Sequence, residues 1–223
     1  MKKYSSVKRH MLGKLNYRFR QCDEHDEPEA EAEGGLEDFP FNFPDAESVS
    51  YENNRIYFYG EVERNTVLSL NKALHKISVG LQNRANELST VPGNIFLHIN
   101  SPGGDIFDGF SASDYVRKSK VPVHTIIDGS CASAATFISV VAAKRYINEN
   151  SFMLIHQLSS QAWGNYEHLK DEMQNLDLLM TTIKNIYKKH TKIPMKKLEE
   201  ILKKDVWLTA DEALKYGLVD EII

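Results

Sequence analysis

The sequence predicts an α/β protein, a mostly parallel sheet layered with helices. Three observations carry that prediction. From about residue 51 onward, short β-rich runs alternate with helical patterns. Two of those runs stop at glycine-bearing turns, "SPGG" (101–104) and "DGS" (128–130). Helix-length segments separate successive runs, as the right-handed crossovers between parallel strands require.

"RIYFYG" (55–60) reads as the first strand, ended by Gly60. Val67, Leu70, Leu74, Ile77 and Leu81 then recur every three or four residues, the mark of a helix packed on one side. "GNIFLHIN" (93–100) is a strand, "FDGFSASDYVRKSK" a helix and "VPVHTIID" (121–128) a strand. "SAATFISVVAA" follows as a helix of small residues, with Ser130, Cys131 and Ser133 read into its first turn. "KRYINENSFMLIHQ" supplies two short strands around an Asn-rich turn. Leu169, Met173, Leu176, Met180, Ile183 and Tyr187 mark a long helix. The end reads as helix ("MKKLEEILKKD"), strand ("VWLT"), helix closed by Gly217 ("ADEALKYG") and strand ("LVDEII").

Bulk composition narrows the class. With 223 residues, 42% of them hydrophobic and 26% charged, the chain suits one soluble domain with an appendage. No apolar run is long enough to span a bilayer, and the basic N-terminus lacks the apolar core of a secretory signal, so no membrane is expected. Cys22 and Cys131 have no metal-ligand spacing and read as free thiols of a cytoplasmic protein. A net charge of −4 argues against nucleic acid as a partner. The charge is unevenly spread. Residues 1–20 carry Lys2, Lys3, Lys8, Arg9, Lys14, Arg18 and Arg20 with no acid, and the next stretch has many acids and no Lys or Arg. Such blocks bury too little to offset the entropy of ordering, so residues 1–50 read as a disordered extension, with "FPFNFP" (39–44) as an aromatic tether.

Chemistry concentrates at strand ends, where open α/β sheets place their sites. In "NSPGGD" the paired glycines allow positive φ and let N–H groups face a bound group, although a sharp turn alone would explain them. Around "DGSCAS", a helix start offers unpaired N–H groups to an oxyanion, and Ala132, Ala134 and Ala135 allow close approach. Packing of small residues explains the alanines equally well. A serine needs a base. Of the eight histidines, His10 and His25 are in the extension, His75, His168 and His190 lie on helical patterns facing solvent, and His98 and His124 are mid-strand. His156 closes the strand "FMLIHQ", and Asp205 precedes an apolar run, so both are candidate partners in one of several triads that spacing allows.

Residues 54–223 resemble the proteolytic subunit of the Clp protease (ClpP), a family of self-compartmentalising serine peptidases. The resemblance rests on "RIYFYGEV", "INSPGGDI", "DGSCASAA", "MLIHQ" and "DVWLTADEALKYGLVDEII", in that order along the chain. It implies a ClpP/crotonase-like layered head with a projecting helical handle at about 158–190. It also implies a catalytic set of Ser133 as nucleophile, His156 as general base and Asp205 as its orienting acid. Gly104 and Ala134 would supply the oxyanion-hole N–H donors. No metal or cofactor is implied. The implied substrate is peptide or unfolded protein, the implied assembly two stacked heptameric rings joined through the handles, and the implied partner an AAA+ unfoldase. The run after His156 and Gln157, "LSSQAWGN", replaces a Pro and Gly pair found in many members.

Three other readings share these features. A crotonase-like acyl-CoA enzyme would use the same paired N–H donors without a triad. A Ser–Lys dyad would use Lys144, which helical rise puts about 16 Å from Ser133. A non-catalytic subunit of a mixed ring would need no working triad.

Overall fold

The computed structural model describes residues 48–223. The extension and its aromatic tether lie outside the described residues but for Ser48–Ser50. The strands are β1 (Val49–Glu52), β2 (Arg55–Tyr59), β3 (Ile95–Ser101), β4 (Val123–Ala132), β5 (Lys144–Ile147), β6 (Phe152–Leu154) and β7 (Glu221–Ile222). The helices are α1 (Arg64–Leu88), α2 (Ile106–Lys118), α3 (Ala134–Val140), α4 (Tyr166–His190), α5 (Met195–Leu202) and α6 (Ala210–Lys215).

The sheet runs β1-β2-β3-β4-β5-β7, with β6 also on β4, and every pairing is parallel except the β1–β2 hairpin. That hairpin turns at Asn53, which takes φ of 54°, a conformation asparagine tolerates better than most residues. Along β2, β3 and β4, Ile56, Phe58, Leu97, Ile99, Thr125 and Ile127 are buried toward the helices. α1 brings Val67, Leu70, Leu74 and Ile77 to that core, and α3, buried at every residue, runs through its centre. The alternating partners, Tyr57, Phe96, His98 and His124, face away from it.

Several expectations need correcting. β4 does not end at Asp128 but continues through Ala132, because β6 takes over as its partner where β5 stops. α3 therefore starts at Ala134, and Ser130 and Cys131 are strand residues rather than helix residues. "VWLT" is no strand: only Leu208 bridges, antiparallel to Met153. The final strand shrinks to Glu221–Ile222. His190 is half-buried rather than facing solvent, because Arg145 Nη1 bonds its carbonyl at 2.6 Å and holds the end of α4 against β5.

The long apolar stripe of α4 divides. Ile183 and Tyr187 are buried against the core, while Leu169 and Met173 are 44 and 60% exposed. The helix thus begins beyond the core and only its later half packs onto α3.

Candidate active site

Ser133 stands between β4 and α3 as the helix N-cap, with φ of 56° and ψ of −128°. A non-glycine residue there is strained by about 1–3 kcal/mol. Its neighbours hold it in place. The Ser133 N–H donates to Leu154 O on β6 at 2.8 Å. Its carbonyl accepts from Thr136 N at 3.0 Å and from Thr136 Oγ1 at 2.6 Å. Tyr187, from α4, in turn places its hydroxyl 2.6 Å from Thr136 Oγ1. As that threonine hydroxyl already donates to Ser133, the phenol is the donor. The serine Oγ itself is buried and has no hydrogen-bond partner.

Beside it runs the turn after β3. Gly103 and Gly104 take φ of 95° and 148°. A Cβ on Gly103 would lie 2.6 Å from Ser133 Cβ and 3.0 Å from its Oγ, so the absent side chain is what lets the turn lie against the serine. Val62 N bonds Gly103 O, and Asp105 N bonds Val62 O, each at 2.7 Å. These bonds flank Gly104, whose own N–H therefore points away from Val62. Ala134, first residue of α3, has an N–H with no acceptor inside its helix.

The other two candidates arrive through β6. Ser130, Cys131 and Ala132 pair with Phe152, Met153 and Leu154, which aligns Ser133 with Ile155, one residue before His156. The Met153–Leu208 bridge is antiparallel, so three residues forward from Met153 and three back from Leu208 lie His156 and Asp205. Their side chains meet there, His156 Nδ1 lying 3.3 Å from Asp205 Oδ1. Gln157 N, bonded to Leu202 O at 2.7 Å, pins the same crossing. The imidazole is buried and the carboxylate largely exposed. Burial pushes the His156 pKa below its ordinary value, and the Asp205 charge only partly opposes that shift. The ring is therefore neutral, and able to accept a proton, at neutral pH.

Ser133, Ala134, Gly104, His156 and Asp205 thus lie around the carboxyl ends of β3, β4 and β6. The rival nucleophiles do not join them. Ser130 Oγ donates to Asn100 Oδ1 at 3.0 Å. Cys131 is fully buried in the core, which drives its thiol pKa far up. Lys144 pairs with His124 at the opposite end of β4, and its ammonium lies 3.2 Å from Glu221. Lys144 is therefore not placed to form a Ser–Lys dyad with Ser133.

Gly103, Thr136 and Tyr187 went unassigned in the sequence. The glycine pair was a signal for the first. Nothing in residue spacing links Thr136 to Tyr187, 51 positions later.

Among the described residues, no cluster of His, Cys, Asp and Glu could hold a metal ion, and no helix is long and apolar enough to cross a membrane.

Comparison with known proteins bears on the family of the chain. The chain is 36% identical over 131 residues to an ATP-dependent Clp protease proteolytic subunit of Deinococcus radiodurans, an alignment covering 58% of this chain and 64% of that protein. It is 36% identical over 130 residues to subunit 2 of Treponema denticola, covering 57% and 65%. Over those alignments the chain spans just under two thirds of each relative's length. A Treponema pallidum subunit 2 is 28% identical over 91% of this chain and 95% of its own. A solved ClpP1 point mutant from Listeria monocytogenes superposes with a TM-score of 0.65 at 24% identity, over 77% of this chain and 91% of that one, and so shares its fold. The family model for Clp protease matches residues 48–223, the whole described part, and the chain belongs to the Clp protease family.

Proposed function

We propose that the chain is a serine endopeptidase that cleaves peptides and unfolded polypeptides. One observation carries the reading: a buried serine hydroxyl without a partner, on a strained backbone at a strand-to-helix junction. Strain of this kind persists where geometry serves a function. One residue beyond its register partner Ile155 stands a neutral histidine backed by a carboxylate.

In this mechanism Ser133 Oγ attacks the scissile carbonyl carbon while its proton passes to His156 Nε2. The carbonyl oxygen becomes an oxyanion facing the N–H groups of Gly104 and Ala134, each such donor contributing about 3 kcal/mol to the transition state. Asp205 accepts from Nδ1–H, keeping the ring in the tautomer that presents Nε2 and balancing the imidazolium. That imidazolium protonates the leaving amine. Water then attacks the acyl-serine by the reverse sequence, with His156 again as base. Ser133 Oγ makes no hydrogen bond in the free enzyme, and such serine–base contacts commonly tighten when substrate arrives.

The exposed apolar half of α4 supports an oligomer. Leu169 and Met173, on one face of the helix with Tyr166, present apolar side chains that a second copy would cover. Stacked rings joined through these helices, enclosing the catalytic serines and fed by an ATP-driven unfoldase in the cytoplasm, complete the proposal. A fluorophosphonate probe should label Ser133 and lose all labelling in Ser133→Ala, while native mass reports an unchanged oligomer. Labelling that persists in the variant would exclude Ser133 as nucleophile.

A further inference from the structure

β4 changes partner partway along. β5 pairs with it as far as Ile127 with Ile147, and β6 takes over the same edge from Ser130 with Phe152. On the opposite edge, β3 advances two residues from Ile99 to Ser101 while β4 advances four, from Ile127 to Cys131. β4 therefore carries a bulge at residues 128–130, turned at Gly129 with φ of 83°. Bulges beside active sites re-aim side chains. This one lies three residues before Ser133, where β4 meets the strand that leads to His156.

A side chain from outside β4 holds each residue of the bulge. Asn148 Nδ2 donates to Asp128 Oδ1 at 2.6 Å and to Ile127 O at 3.1 Å. Ser151 Oγ accepts from Gly129 N at 2.7 Å. Asn100 Oδ1, on β3, accepts from Ser130 N at 3.3 Å and from Ser130 Oγ at 3.0 Å. Asn148 and Ser151 stand at the two ends of the turn between β5 and β6, which Ser151 N closes on Asn148 O at 3.0 Å. The turn is thus fastened to the bulge at both ends, and the first pair of β6 follows at the next residue.

These pins matter because β6 does little to fix its own register. It makes three pairs with β4, and its side chains do not alternate: Phe152 is exposed, while Met153 and Leu154 are both buried. Register is weakly specified where a strand lacks alternation. A slip of one residue would carry His156 about 3.3 Å along the strand. A misplacement near 1 Å already costs about 100-fold in rate. We propose, taking Ser133 and His156 as the reacting pair, that Ser151 and Asn100 are positioning residues: by holding the bulge they set the register at which β6 presents His156 to Ser133.

Four variants of the full chain test this. Ser151→Ala removes the acceptor for Gly129 N, and Asn100→Leu the acceptor for Ser130 N, whereas Asn100→Asp keeps an oxygen there. Ser113→Ala is the control, a buried serine on α2 whose hydroxyl donates to Phe110 O at 2.9 Å, away from the bulge. Fluorophosphonate labelling rates, peptide kcat and KM, and thermal melts are measured on each. Ser151→Ala should lose at least about tenfold in labelling rate and kcat with KM changed less than about threefold, because a displacement under 1 Å suffices for that loss. Asn100→Leu should fall in the same direction by at least about threefold, and Asn100→Asp should restore the wild-type rates. Ser113→Ala should lose comparable stability to Ser151→Ala and keep the wild-type rates. Asn100 is exposed, so its two variants decide the matter even where Ser151→Ala does not fold. Ser151→Ala reacting as fast as Ser113→Ala, or Asn100→Asp as slow as Asn100→Leu, would overturn the positioning role while normal wild-type labelling left the peptidase reading standing. A wild-type chain that the probe never labels would overturn both.

Discussion

Replacing Gly103 with alanine tests the site's construction at its tightest point. The new Cβ would lie 2.6 Å from Ser133 Cβ and 2.7 Å from Ala132 O, at a residue with φ of 95°. Both neighbours belong to a backbone already fixed by the Leu154 and Thr136 bonds, so neither can swing aside. A side chain in this φ range costs about 1–2 kcal/mol. Overpacking adds about 1–3 kcal/mol. A midpoint of about 3.5 kcal/mol corresponds to a melting temperature lower by about 7–14 °C for a domain of this size. Where the fold accommodates the methyl, Ser133 moves instead, and a shift near 1 Å costs about 100-fold in rate. Fluorophosphonate labelling rates and thermal melts on the same samples measure both effects. Gly109→Ala is the comparison, because its Cβ would meet Ala134 Cβ and O at 3.1 and 3.2 Å, a contact relieved by a few tenths of an ångström, in a helix that favours alanine. The reasoning fails if Gly103→Ala labels at the wild-type rate with an unchanged melt, or if Gly109→Ala is the more damaging of the two.

Asp205→Asn should lower kcat/KM for a peptide substrate by about 10³- to 10⁴-fold, through loss of the working tautomer. In the wild type, kcat/KM should hold through pH 7 and fall only below the ordinary histidine range, because burial favours the neutral ring that acts as base; a fall beginning above pH 7 would contradict that assignment. Tyr187→Phe removes the donor that steadies Thr136, so melting should report a loss of about 1 kcal/mol, and kcat should fall more than KM rises while Ser133 remains labelled. Rates and pH profile identical to wild type would show that Tyr187 only packs. Cys131→Ala should keep most peptidase activity, since the buried thiol does not ionise, and near-total loss measured by peptide turnover would point to sulfur chemistry.

The strength of each sequence-based expectation followed the range of the interaction behind it. β2, β3, α1, α2 and α5 were visible because their apolar residues repeat with strand or helix period. The junction at Ser130–Ser133 was misread as helix because small residues suit either state. Pairing with β6 decided for strand, and β6 lies more than 20 residues downstream. "VWLT" has strand composition, yet only Leu208 finds a partner, while Val206 and Trp207 remain exposed. α4 reads as one continuous stripe, but Ile183 and Tyr187 reach the core and Leu169 and Met173 do not.

The residue types of the site were written in the chain: glycines where the turn must approach a side chain, a serine among alanines, a histidine at a strand end. Residue chemistry and local period determined that much, because both are properties of near neighbours. Tertiary structure alone decided which hydroxyl stands strained and unpartnered, and that His156 faces Asp205. Both depend on the register of β6 against β4 and against Leu208, set by packing between segments that no local pattern connects.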